Sequence, residues 1–148
     1  MSQLPVVEIR RREDFCAAHR LHAPALTDEE NVALYGPCNT LHGHNYSVEA
    51  TVQGPVEPRT GMVMNLSDLM LIVQERIISR VDHVNLNTDV AFLEGIIPTA
   101  EMLAVTFWNE LEPALQKYEP CRLHRIRLYE SRNNFVDYLG PEQSTSPG

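Results

Sequence analysis

The segment Cys38-Asn39-Thr40-Leu41-His42-Gly43-His44 gathers residue types that do chemistry rather than fill a core. An ionised cysteine is a nucleophile, a base or a metal ligand, and a neutral imidazole offers a ring lone pair to a metal or a proton. His42 and His44 begin an alternating run in which Tyr46, Val48, Ala50 and Val52 share their face. Residues two apart on a strand point the same way, roughly 7 Å apart along the chain, so the two rings can converge on one atom. His19 closes an earlier run of the same kind, with Val7, Ile9, Phe15 and Ala17 at odd positions,. Three neutral imidazoles with an open position suit a catalytic Zn2+, whose vacant site takes water or a substrate oxygen. Buried polar histidines and another imidazole-binding divalent ion are the alternatives.

Beside the histidines of this cluster, four residues carry chemistry: Cys38, Asp82, His83 and Glu130. Cys38 is open to three readings: a fourth zinc ligand closing a structural site, a buried apolar filler, or a thiolate favoured by a nearby cation. Its place in a polar loop after Gly36-Pro37 speaks against filler. Asp82-His83 sets an acid beside a base after a helix; it reads equally as a helix C-cap, with His83 at the negative end of the dipole, and as a catalytic pair. Glu130 ends an otherwise apolar strand face, and a carboxylate there needs donors, which a ligand rich in N–H groups would supply.

These residues need elements to hold them. The first strand starts at Val6, and the charges at Arg11 and Glu13 admit a bulge in it,. Residues 21–37 contain Pro24, Asp28-Glu29-Glu30 and Gly36-Pro37, and read as a long loop with one helical turn at most,. The second strand ends at Gly54-Pro55. A helix is expected over about 67–80, capped by Asn65 or Ser67, with Leu69, Ile72, Val73, Ile77 and Val81 on its inner face,. A polar loop, 85–89, follows. Thr99 caps a second helix whose stripe of Leu103, Phe107, Leu111 and Leu115 reads as core, with Pro113 expected to kink or shorten its end,. Alternation over 123–130 and a last strand over 135–139 complete an α+β domain: a four-stranded antiparallel sheet with two helices on one face. The tail 141–148 is small and polar and is expected to be disordered,.

Composition narrows the class. The chain has 148 residues, 43% hydrophobic and 22% charged, ordinary globular usage, and one domain of that size buries about 70% of its unfolded surface. A net charge of -8, with no basic run longer than Arg10-Arg11-Arg12, argues against a nucleic-acid partner. The longest strong apolar run, 69–73, is too short for a bilayer or a signal peptide,. A cytoplasmic protein is therefore expected, with its three cysteines reduced,.

The residues 15–21 (Phe-Cys-Ala-Ala-His-Arg-Leu), Cys38 with 42–46 (His-Gly-His-Asn-Tyr), 60–66 (Thr-Gly-Met-Val-Met-Asn-Leu), 82–87 (Asp-His-Val-Asn-Leu-Asn), 98–101 (Pro-Thr-Ala-Glu) and Tyr129-Glu130 resemble, in order and spacing, the 6-pyruvoyltetrahydropterin and 6-carboxytetrahydropterin synthase family. The resemblance implies the tunnelling fold, in which subunits pair strand edges into a barrel, commonly a homohexamer of two trimers with active sites between subunits. It implies Zn2+ on His19, His42 and His44, and a proton-transfer set of Cys38, Asp82 and His83. It also implies a pterin ring held by Glu130 with Thr99 and Glu101, and 7,8-dihydroneopterin triphosphate as substrate.

One departure bears on the product. Family members that make 6-pyruvoyltetrahydropterin for tetrahydrobiopterin usually have five residues between the cysteine and the His-Gly-His motif, whereas three stand here. The shorter spacing resembles the 6-carboxytetrahydropterin synthases of the queuosine (7-deazaguanine) pathway, which release acetaldehyde as well as triphosphate, and on loop length the carboxy product is favoured. Residues 28–31 and 61–66 resemble the pyruvoyl type instead. Two rivals from other classes are a non-catalytic, zinc-stabilised assembly subunit with Cys38 as fourth ligand, and a zinc hydrolase that needs no thiol.

Overall fold

The structure, a computed structural model, describes residues 3–141. The expected disorder of the tail concerns positions that lie, beyond Pro141, outside the described residues. Two long strands form its centre. β1 (Val6–His19) pairs antiparallel with β2 (His42–Pro55) over its full length, Val6 opposite Pro55 and His19 opposite His42. The pairing is unbroken, so the bulge admitted at Arg11 and Glu13 is absent. Their charges are met locally instead: Arg11 Nη2 donates to Glu13 Oε1 at 2.9 Å, and Gln74 Nε2 donates to the same oxygen at 2.7 Å. Strand parity therefore carries from Phe15 and Ala17 to His19, all inward and buried,.

The sheet has five strands, not four, in the order β3-β1-β2-β4-β5. The additional strand, β3 (Val84–Asn85), runs parallel to the end of β1 at Ala17 and Ala18. Two residues carry no readable period, which is why alternation does not reveal it. β4 (Arg122–Tyr129) pairs with β2, and β5 (Phe135–Tyr138) with β4, one residue shorter than expected. The register between β2 and β4 shifts between Thr51 and Val52. That irregularity lets Leu123 and Ile126, of opposite parity, both face the core,.

Helices cover one face. α2 (Leu66–Val73) is capped by Asn65, whose Oδ1 accepts from Ser67 N at 2.9 Å; a π turn (Gln74–Ile78) and α3 (Ser79–Val81) continue it. Leu69, Val73, Ile77 and Val81 are fully buried. Positions four apart drift around a 3.6-residue helix, and the wider π turn takes up the drift so that all four stay on the sheet. α4 (Ala100–Leu115) packs Leu103, Phe107, Leu111 and Leu115 inward. Full burial of each such side chain stabilises by about 1.5–3 kcal/mol. Pro113 does not shorten α4 by a turn. The helix passes through it to Leu115 and tightens into a 3-10 turn over Gln116–Tyr118.

The region expected as loop contains a two-turn helix, α1 (Asp28–Tyr35), followed by a 3-10 turn over Gly36–Asn39. A capping box starts it: Glu30 N donates to Thr27 Oγ1 at 3.1 Å and Thr27 N to Glu30 Oε1 at 3.0 Å,. Asn31, buried, ties the helix to the preceding loop by accepting from Ala23 N and donating to Ala23 O. Among the described residues, no helix is long and apolar enough to cross a membrane.

Candidate metal centre and active site

Antiparallel register sets His19 directly opposite His42, and strand parity puts His44 on the same side. The ring centroids lie 4.6 Å (His19 to His42), 5.1 Å (His19 to His44) and 4.9 Å (His42 to His44) apart, and one nitrogen from each ring lies within 4.8 Å of the others. Two main-chain carbonyls settle which nitrogen is free. His19 Nδ1 donates to Pro98 O at 2.8 Å and His42 Nδ1 to Thr40 O at 2.6 Å. A carbonyl can only accept, so both rings carry their proton on Nδ1 and keep a lone pair on Nε2. The Nε2 atoms of His42 and His44 are shielded from solvent and have no hydrogen-bond partner. Unpartnered buried nitrogens that converge are what a tetrahedral metal site needs, and the residues fit a zinc-type ion.

Burial, the largest influence on both, keeps the His19 and His44 imidazoles below the ordinary histidine range. Neutral rings are the form a metal binds. Tyr46 stacks on Phe15 with centroids 4.8 Å apart and brings its hydroxyl to 3.3 Å from His19 Nδ1.

Glu130 joins this cluster from the end of β4. Its Oε2 stands 4.0 Å from His19 Nε2 and its Oε1 4.0 Å from His44 Nε2, and its amide donates to Asn134 O at 3.0 Å. The same side chain lines a cavity of about 310 Å³ with Thr99, Glu101, Leu21, Tyr35 and Phe135, at the small end of ligand sites. Thr99 Oγ1 accepts from Met102 N at 3.1 Å as the cap of α4, which leaves its hydroxyl hydrogen for a ligand. Glu101, in the first turn, is exposed. Thr99, Glu101 and Glu130 thus share one cavity, and Glu130 connects it to the imidazoles.

Asp82 and His83 form a pair of their own. His83 Nδ1 lies 2.9 Å from Asp82 Oδ1, which also accepts from Cys16 N at 3.0 Å. Those hydrogen bonds, Cys16 first, hold the Asp82 carboxyl below the usual range. His83 has φ +62 and donates its amide to Cys16 O at 2.6 Å, with its side chain 80% exposed. Asp82 is the C-cap residue of α3, and the His83 ring turns to its carboxylate, so the two residues stand at the helix end and in contact with one another. Cys38 sits half-buried on the 3-10 turn. It is outside the metal-ligating cluster, which disfavours a closed site of one cysteine and three histidines. Among the described residues, no hydrogen bond joins its thiol to Asp82 or His83 within one chain.

The carbonyls of Pro98 and Thr40 have no side-chain signature, and the sequence does not reveal their role. Nor does it reveal that Asn87 and Asn39 brace the segment next to His19. The concentration of asparagine in 85–89 was the one available signal.

The family model described as 6-pyruvoyl tetrahydropterin synthase matches residues 8–141. A Drosophila melanogaster 6-pyruvoyl tetrahydrobiopterin synthase is 44% identical over 143 residues, covering 95% of this chain and 84% of that protein. The structure of Caenorhabditis elegans 6-pyruvoyl tetrahydropterin synthase superposes with a TM-score of 0.87 at 34% identity, over 95% of this chain and 99% of that one. A putative 6-carboxy-5,6,7,8-tetrahydropterin synthase of Archaeoglobus fulgidus is 31% identical over 100 residues, covering 68% of this chain and 76% of its own length.

Proposed function

We propose that this chain, which belongs to the 6-pyruvoyl tetrahydropterin synthase family and has its α+β tunnelling fold, converts 7,8-dihydroneopterin triphosphate to 6-pyruvoyltetrahydropterin with loss of triphosphate. The observation that carries this reading is the junction made by Glu130, whose carboxylate faces two of the three converging imidazoles and also lines the cavity of Thr99 and Glu101. A ring bound in the cavity has its side chain beside the imidazoles.

The carboxy product favoured by the three-residue spacing gives way to the pyruvoyl product. The 44% identical relative carries the pyruvoyl name, whereas the relative with the carboxy name is 31% identical over a shorter stretch. There is also a physical reason to give the spacing less weight. The Cys38 turn is tied to Leu21, whose amide donates to Cys38 O at 2.9 Å. The place of the thiol therefore depends on the end of β1 as well as on the link to His42.

His19, His42 and His44 would hold Zn2+, which supplies Lewis-acid polarisation of a substrate oxygen. Glu130, Thr99 and Glu101 bind the pterin by its N–H edge, a carboxylate being the matching acceptor. Cys38 as thiolate takes a carbon-bound proton, and His83, oriented by Asp82, relays protons as general acid and base. Triphosphate leaves by elimination. In this reading the proton-transfer set is completed between subunits of a homohexamer, which the exposure of His83 and, among the described residues, the lack of a bond from it to Cys38 support. The edge of β1 before Ala17, which no described residue pairs on the side away from β2, supports assembly by edge pairing.

Mass analysis of the product formed from 7,8-dihydroneopterin triphosphate tests this reading. A diketo side chain is expected. A carboxylate released with acetaldehyde would reverse the product assignment, and intact substrate in the presence of zinc would reject the enzyme.

A further inference from the structure

We infer that Asn87 is a positioning residue for the Cys38 thiol, an inference that rests on the reading of Cys38 as the catalytic base. The Asn87 side chain pairs with the backbone of Arg20 in both directions: Oδ1 accepts from Arg20 N at 2.7 Å and Nδ2 donates to Arg20 O at 2.8 Å. This is the hydrogen-bond pattern of a β-bridge made by a side chain. It appears where β1 has ended at His19 and β3 at Asn85, and it extends their pairing by one residue.

The segment that Asn87 holds carries the Cys38 turn. Arg20 Nε donates to Asn39 O at 2.5 Å, Leu21 N donates to Cys38 O at 2.9 Å, and Asn39 Nδ2 donates to Leu21 O at 2.8 Å. The turn itself has little strength of its own. It is a four-residue 3-10 turn with no side-chain cap, closed by Thr40 N donating to Pro37 O at 3.1 Å,. At its start the turn continues from α1, Gly36 N donating to Val32 O, while its Cys38–Asn39 end is tied to Arg20 and Leu21, and Arg20 is held by Asn87.

Asn87 can act as a fixed point because its loop is closed. Asn87 N donates to Asn85 Oδ1, Asn85 N to Asp89 Oδ2, and Asp89 N to Asn85 O, each at 2.9 Å. Leu86 N donates to Ala18 O at 2.8 Å and anchors the loop on β1. Removing the Asn87 amide exposes both backbone groups of Arg20 to water and frees the segment to swing. A misplacement of about 1 Å costs about 100-fold in rate.

The test compares Asn87→Ala with Thr88→Val. The second variant removes a hydrogen bond to Asp89 Oδ1 in the same loop without touching residues 20–39. For each, kcat, KM, zinc content and the rate of iodoacetamide alkylation at Cys38 are measured, with alkylation of free glutathione under the same conditions as reference. Asn87→Ala should lower kcat about 10- to 100-fold with KM and zinc unchanged, and should change the rate of alkylation at Cys38. Thr88→Val should match the unsubstituted protein. Combining Asn87→Ala with Asn39→Ala should cost little more than the worse single change, since both act through one segment.

An unchanged kcat and unchanged Cys38 alkylation in Asn87→Ala overturn the inference, as does a Thr88→Val variant that behaves like Asn87→Ala. If Asn87→Ala does not fold, Asn87→Asp decides: it keeps the acceptor for Arg20 N and should give an intermediate kcat, and full activity overturns the inference. Failure of the underlying reading looks different. Turnover that survives Cys38→Ala removes the thiol from the reaction, whatever the alkylation rates show.

Discussion

Glu130 Oε1 stands 4.0 Å from His44 Nε2, across the gap between two neighbouring strands of the sheet. The carboxylate is close enough to influence the imidazoles, yet it also borders the cavity. Glu130→Gln keeps the shape and removes the charge. It should weaken pterin binding about tenfold or more, on the order of one charge-assisted hydrogen bond, and leave the zinc content at the unsubstituted level. Titration with a pterin and metal analysis check this together; an unchanged pterin affinity removes Glu130 from the site.

Cys38→Ala should abolish turnover and retain zinc, because the thiol lies outside the cluster of three imidazoles. Zinc analysis and thermal melting separate the alternatives. Loss of zinc together with a collapsed fold would point to a structural site, and turnover that persists would point to hydrolysis by a route that needs no thiol.

Burial favours neutral His19 and His44, so both titrate below the ordinary value of 6.5. A group whose folded pKa is depressed contributes stability that is present above its unfolded pKa and lost as pH falls through the folded value. Zinc-free protein should therefore keep its full melting temperature above about pH 6.5 and lose stability below it. Bound zinc should be released over the same acidic window, since protons compete for the ring nitrogens. Melting curves of zinc-free protein and dialysis with metal analysis from neutral pH downward measure both. A melting temperature of the zinc-free protein that stays flat across that window contradicts the assignment.

Gly140 has φ +91, and a Cβ added there would lie 2.6 Å from a ring atom of Trp108. Trp108 cannot readily yield, because its indole N–H donates to Glu112 and its ring packs edge-on against Tyr138. Gly140→Ala combines left-handed backbone strain with overpacking and should destabilise by about 2–4 kcal/mol. Denaturant unfolding measures it, and a change under 0.5 kcal/mol, roughly the level of an ordinary surface substitution, would show that the indole moves aside.

Much of this molecule is legible from local pattern. Alternation placed His19, His42 and His44 inward because a strand has a period of two and the β1–β2 pairing is unbroken,. The helical stripe of Leu103, Phe107, Leu111 and Leu115 marked the core for the same kind of reason,. Even α1, expected as loop, had a legible start in Thr27 and Glu30,. What remained hidden depends on partners distant in sequence. The two-residue β3 has no period, and the shift at Thr51 and Val52 reverses the parity of Leu123.

The residue types and their spacing determined by themselves that His19, His42 and His44 each face inward, since side-chain direction along a strand is a local property, and the β1–β2 register then set His19 opposite His42. Tertiary structure decided which nitrogen His19 leaves free, because the carbonyl of Pro98 acts through space; His42 is oriented locally by the carbonyl of Thr40, and neither carbonyl has a side chain to announce it. It also decided where Glu130 and Cys38 sit. Glu130 reaches the imidazoles only through the pairing of β4 with β2, and Cys38 takes its place from Arg20 and Leu21 at the end of another strand. Hydrogen bonds that span dozens of residues leave no period in the chain.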